Sequence, residues 1–144
     1  GLGNSAADAA DMAHKLLRLG FDANSYSYNH MKVIAASHLD KDCIAIGISH
    51  SGSSTDIIDA LKIAKRANAL TASITNSSKS PIYTVSDYVL KTVSDETNYR
   101  ILGLNSRIAQ LAIIDAIYYF VASHMQQAKE MTELTEDALH NKKF

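Results

Sequence analysis

The chain has 144 residues, of which 47% are hydrophobic, enough apolar material for the core of one globular domain. A formal charge of -1 gives it no bulk attraction to nucleic acid. The single cysteine, Cys43, excludes an intrachain disulfide and fits a reducing, cytoplasmic setting. No basic-then-apolar segment resembling a secretion signal stands at the start, and the most apolar run, Leu111 to Ala122, is shorter than the ~20 residues that span a bilayer.

In chain order, "NSAADAADMAHKLLRLG" places Ala6, Ala9, Ala10, Ala13, Leu16 and Leu17 on one helix face, with Gly20 as the stop. "ANSYSY" alternates and contains tyrosine, which predicts a strand, and "HMKVIAASHL" predicts a short helix. "CIAIGIS" has the continuous apolar character of a strand in a parallel sheet covered on both faces. "TDIIDALKIAKRANA" is amphipathic through Ile57, Ala60, Leu61 and Ala64, with Asn68 suited to a left-handed end position. "LTASITN" predicts the next strand, Pro81 a single helical turn, and "DYVLKTV" the last strand.

From about Arg100 the pattern is one long helix, apolar on nearly every side, which predicts burial on nearly every side and hence a homodimer interface. Asp115 within it requires a partner on a neighbouring element. Tyr118 and Tyr119 read as core or interface residues, and Arg107 either pairs across that interface or approaches the ligand. The segment 129–144 reads as a charged helical tail beyond a domain of residues 1–128.

Strands separated by crossover helices predict an α/β fold, a three-layer α-β-α sandwich with a parallel sheet whose ligands bind beyond the strand C-termini. Two loops meet there. "GLGNS" runs straight into a helix, as does "SHSGSSTD". Each offers backbone N–H groups at a helix N-terminus, where unpaired donors and the dipole favour an anion. Gly3 and Gly52 allow close approach, and the hydroxyls add donors without bulk. Neither loop holds a lysine or arginine, so the expected site is a neutral hydrogen-bonding cradle for phosphate. The alternative is a pair of ordinary turns, with Ser5 and Thr55 as plain helix caps. The histidines 14, 30, 38, 124 and 140 show no metal-ligand spacing, so no metal or other cofactor is expected.

"GLGNSAADAADMAHKLLRLG", "IGISHSGSSTDIIDALKIAKRANA", "SITNSSKSPI", "SDYVLKTVSDE" and "YRILGLNSRIAQLAIIDAIYYFVA", in this order, resemble a sugar isomerase (SIS) domain. They are most similar to the effector domain of RpiR-type bacterial transcription regulators, which respond to phosphosugars. The resemblance spans Gly1 to about His124 and implies a flavodoxin-like SIS fold. It also implies that Ser5, Ser49, Ser51 and Ser54 hold the phosphate, beside Gly3, Asn4, His50 and Gly52, with Glu96 approaching the sugar.

The implied partners are a phosphorylated sugar or amino sugar, a second copy of the chain, and DNA only through an upstream helix-turn-helix domain that this sequence does not include. On this resemblance the chain is truncated, and its sheet is expected to miss a first, central strand or to borrow a substitute for it. Three functions follow: a regulatory effector domain, an aldose–ketose sugar-phosphate isomerase with Glu96 or His50 as base, or a sugar-phosphate lyase. The "SHSGSS" loop favours the regulator, because isomerases of this family commonly carry an acidic residue after the glycine.

Overall fold

The computed structural model describes residues 1–76, 78–94 and 104–140. Its elements in order are α1 (Asn4–Arg18), α2 (Asn29–Ser37), β1 (Ile44–Ile48), α3 (Thr55–Arg66), β2 (Leu70–Thr75), a 3-10 turn (Pro81–Val85), β3 (Tyr88–Lys91), α4 (Leu104–His124) and α5 (Ala128–His140). The three strands form a parallel sheet in the order β1-β2-β3, with Ile44 opposite Leu70 and Ala72 opposite Tyr88. β1 has β2 on one side, and no strand among the described residues occupies its other edge.

The period of two along the strands sorts side chains into two layers. Ile46, Ile48 and Ile74 join Met12 of α1 and Ile114 of α4 in one apolar cluster. On the opposite face Ile57, Ile58 and Leu61 of α3 pack with Ile82 and Val85 of the 3-10 turn. Gly47 keeps α3 close to the sheet, since a Cβ there would lie 2.8 Å from Leu61 and 2.9 Å from Ile57. A third cluster, Ala36, Ala64 and Ala69, seats α2 on α3 through side chains small enough for near contact. The result is the expected three-layer sandwich.

Asn68 closes α3 with a φ of 67°, the left-handed end its sequence position predicts. The predicted strand at 23–28 does not form. These residues run irregularly to α2, and Tyr28 is exposed. Their alternation is mostly among polar residues, and no ladder partner lies beside them to satisfy an extended backbone.

Among the described residues, α4 is covered on one face only. Ile114 is buried, whereas Ile108, Tyr119 and Phe120 are 68%, 75% and 63% exposed. Asp115 does find its partner, Lys15 of α1, but at the surface rather than within a buried environment. α5 is an ordered helix that closes against the end of α1, with Met131 beside Gly20 and an Arg18–Glu136 ion pair. No single helix among the described residues is long and apolar enough to cross a membrane.

The entry to β3 is fixed by one carboxylate. Asp87 accepts from Lys65 Nζ at 2.6 Å and from the Thr71 backbone N–H at 2.9 Å, and the Thr71 hydroxyl lies 2.8 Å from the same oxygen. The Lys65 bond, followed by the two from Thr71, holds the Asp87 carboxyl down to about 2. A carboxyl lowered by folding stabilises the folded state above its unfolded value and loses that contribution as pH falls through the folded one. Asp87→Asn should therefore lower the melting temperature at neutral pH. It should also flatten the acid limb between about pH 4 and 2, as read by melting curves of both proteins across that range.

Candidate functional site

The site lies where β1 and β2 end, and its backbone is tied down from beneath. The Ser49 N–H donates to the Ile74 carbonyl at 3.0 Å, carrying the sheet ladder one residue past β1. The His50 carbonyl accepts from the Asn76 N–H at 3.1 Å and from the Thr75 hydroxyl at 3.2 Å. The Gly52 carbonyl accepts from the Ile82 N–H at 3.0 Å. Both carbonyls are thus engaged by the protein interior, as an anion site requires.

Gly52 makes the turn possible. Its φ of 61° lies in the left-handed region, and a Cβ would fall 2.1 Å from Ser80 Oγ and 2.9 Å from Thr75 Oγ1. Its N–H donates to both the carbonyl and the hydroxyl oxygen of Ser49, each at 3.2 Å. Ser49 is 4% exposed, and its Oγ also lies 3.1 Å from Ser54 Oγ. Ser51 is exposed and accepts from the Ser53 hydroxyl at 2.9 Å and from the Ser53 N–H at 3.3 Å.

Ser54 ends the loop as the residue preceding α3, without a side-chain cap bond; Thr55 is the first helical residue and not the cap. The corresponding position before α1 is Gly3, with a φ of 54°, so Ser5 is likewise not the cap. Ser5 projects from the first turn of α1 and donates to Gln110 Oε1 of α4 at 3.2 Å.

These elements enclose an open cleft of about 170 Å³ lined by Leu2, Ser5, Ile48, Ser49, His50, Ser51 and Ser54. Five of the expected ligand residues, Ser5, Ser49, His50, Ser51 and Ser54, therefore share one cavity. Gly52 is buried beneath it as the turn, and Gly3 and Asn4 lie next to the lining without joining it. Glu96 lies outside the described residues. Among the described residues the lining holds no lysine or arginine, and the first-turn amides of α1 and α3 are the electropositive groups beside it.

Sequence reasoning missed Leu2 and Ile48, which form the apolar side of the cleft, and the buried polar groups behind it. Gln110 is 1% exposed and Asp8 fully buried. Asp8 accepts from Arg107 Nε at 3.1 Å, which gives Arg107 a partner inside the chain. Burial pushes the Asp8 carboxyl above its ordinary value, against the Arg107 bond that pulls it down. Lys32 of α2 is 6% exposed and donates to the Ser27 carbonyl at 2.9 Å. Burial lowers its pKa, with the Asp56 carboxylate at the start of α3 opposing. A polar residue inside a helix pattern gives no sequence sign of such burial.

The SIS domain family model matches residues 1–119. The chain belongs to the SIS domain family. It is 36% identical over 118 residues to an HTH-type transcriptional regulator of Haemophilus influenzae, covering 82% of this chain and 41% of that protein. It is 34% identical over 129 residues to the HTH-type transcriptional regulator RpiR of Escherichia coli, covering 89% of this chain and 44% of RpiR. The chain thus spans less than half the length of these two relatives. Among solved structures it superposes on the Vibrio vulnificus NanR protein complexed with ManNAc-6P with a TM-score of 0.92. That match has 22% identity and covers 99% of this chain and 54% of the other, a likeness of fold.

The turn itself can be tested. Gly52→Ala must leave the left-handed region or carry a strain of about 1–2 kcal/mol, and its methyl must also displace Ser80. Urea unfolding should show a loss of at least this size, larger than that of an alanine at exposed Ser53.

Proposed function

We propose that this SIS domain is the effector domain of an RpiR-type transcription regulator and binds a phosphorylated sugar or amino sugar without chemically converting it. The observation that carries the reading is the shared cleft: four serine hydroxyls and two helix N-termini converge on a volume that suits a phosphate group. Regulator-named relatives support regulation over catalysis. The phosphosugar in the NanR complex supports the ligand class. DNA contact is assigned to a helix-turn-helix region of the kind the relatives' names carry, and the setting to the cytoplasm.

The bound phosphate replaces the contacts that the loop makes with itself. In the free protein Ser51 only accepts, from Ser53, so its own proton is available to a phosphate oxygen. Ser49 is a different case. Its hydroxyl oxygen supports the Gly52 turn, so Ser49→Ala removes loop structure as well as a ligand contact.

Ser51→Ala is therefore the clean variant. A hydroxyl bond to a charged oxygen contributes about 1.5–3 kcal/mol, so calorimetry across hexose and amino-sugar 6-phosphates, ManNAc-6P included, should show affinity falling about ten- to a hundredfold. Melting temperature should hold, and the matching unphosphorylated sugar should bind hardly at all. Equal affinity for a sugar with and without its phosphate would remove the cradle.

The outward face of α4 supports the second half of the reading, a homodimer. Ile108, Tyr119 and Phe120 together expose an apolar face of the sort that mates with an identical copy. Sedimentation should show a dimer at micromolar concentration that Tyr119→Glu splits. A well-behaved wild-type monomer would contradict it.

A further inference from the structure

The polar group directly behind the cleft is only half paired, and a ligand can change which half. The Ser5 hydroxyl, on the cleft wall, donates to Gln110 Oε1 at 3.2 Å. The other end of the same amide, Nε2, is buried with no hydrogen-bond partner among the described residues. Gln110 is itself 1% exposed, so water does not reach that donor. Buried donors are rarely left unpaired, and such exceptions ask for a reason.

The proton count on Ser5 supplies one. A serine hydroxyl carries a single proton, and an ionised phosphate oxygen can only accept. Ser5 cannot donate to Gln110 Oε1 and to a phosphate at once. We infer that Gln110 is a positioning residue that acts on the ligand through Ser5. In the free protein it holds the Ser5 proton toward α4. When phosphate enters, Ser5 turns its proton to the ligand and leaves its oxygen as an acceptor. The Gln110 amide then rotates to present Nε2–H to that oxygen. Donation now runs in one direction, from amide to hydroxyl to phosphate, so each bond polarises the next.

This inference rests on reading the cleft as a phosphate site, and it adds a route from that site into α4. Arg107, one turn before Gln110, is anchored on Asp8 of α1, one turn after Ser5. Occupancy of the cleft therefore acts at a junction where two polar links already hold α1 and α4 together, on the helix whose outward face carries Tyr119 and Phe120.

The test uses the 144-residue chain, with inorganic phosphate and ManNAc-6P as probes. Side-chain amide resonances are followed by ¹⁵N NMR, and affinity by calorimetry. The Gln110 amide pair should shift on saturation with either probe in the wild type and stay still in Ser5→Ala. Gln110→Leu, of similar volume and free of polar atoms, should fold and should weaken ManNAc-6P by about three- to tenfold through loss of one supporting bond. Gln110→Glu should weaken it by about a hundredfold or more at pH values high enough to ionise this buried carboxyl, because a carboxylate keeps the Ser5 proton and repels the phosphate.

If Ser51→Ala weakens the probes but both Gln110 variants bind as the wild type does, with the Gln110 amide unmoved, the inference falls and the cradle stands. If neither probe binds the wild type, both fall together.

Discussion

The left-handed turn at Gly52 is the constraint on which the site depends. Any other residue there is strained at this φ and must displace Ser80, because a Cβ would enter the space held by Ser80 and Thr75. The turn reverses the chain after β1 while its carbonyl is taken by Ile82, and that of His50 by Asn76 and Thr75. Acceptors are spent on the interior, and hydroxyl groups are left around the cleft. The same reversal delivers the chain into α3, whose first-turn amides lack intrahelical acceptors. A loop without a single cation is in this way made attractive to an anion. Such a site gains its selectivity from geometry, since hydroxyls and amides direct their hydrogen bonds where a lysine would act as a diffuse charge.

The remaining layers serve to bring a second helix N-terminus to the same place. Ile48 and Ile74 on one face of the sheet pack against Met12 and Ile114, which fixes α1 between the strands and α4. Ser5 follows from that placement, and so does its contact with Gln110. The Asp8–Arg107 pair restrains the same junction, with a fully buried carboxylate that would be costly if left alone. α4 therefore packs against the cleft wall on one side and exposes Ile108, Tyr119 and Phe120 on the other. The proposed ligand-responsive dimer needs this arrangement.

Much of this was readable before any coordinates. The serine-rich loop stood between a buried strand and an amphipathic helix, a local pattern that directly reflects the local fold. Asn68 and Pro81 marked their turns by intrinsic backbone preference. The failures were of another kind. The segment at 23–28 has strand-like alternation, but whether a strand forms depends on a neighbour to pair with. Arg107, Asp8, Lys32 and Gln110 are polar residues in helices, and their burial is set by packing between elements far apart in sequence. Ser49 looked equivalent to Ser51, and only the folded loop shows that one supports the turn while the other is open to the cleft.

The most direct test of the account is the backbone response of the loop itself. An ¹H–¹⁵N titration with hexose and amino-sugar 6-phosphates, each beside its unphosphorylated sugar, would report on the amides of Ser51, Thr55 and Asp56. The account predicts saturable downfield shifts at these three positions with a phosphorylated sugar and none with its unphosphorylated partner. Shifts of equal size with both forms, or loop amides that no sugar phosphate moves, would contradict it.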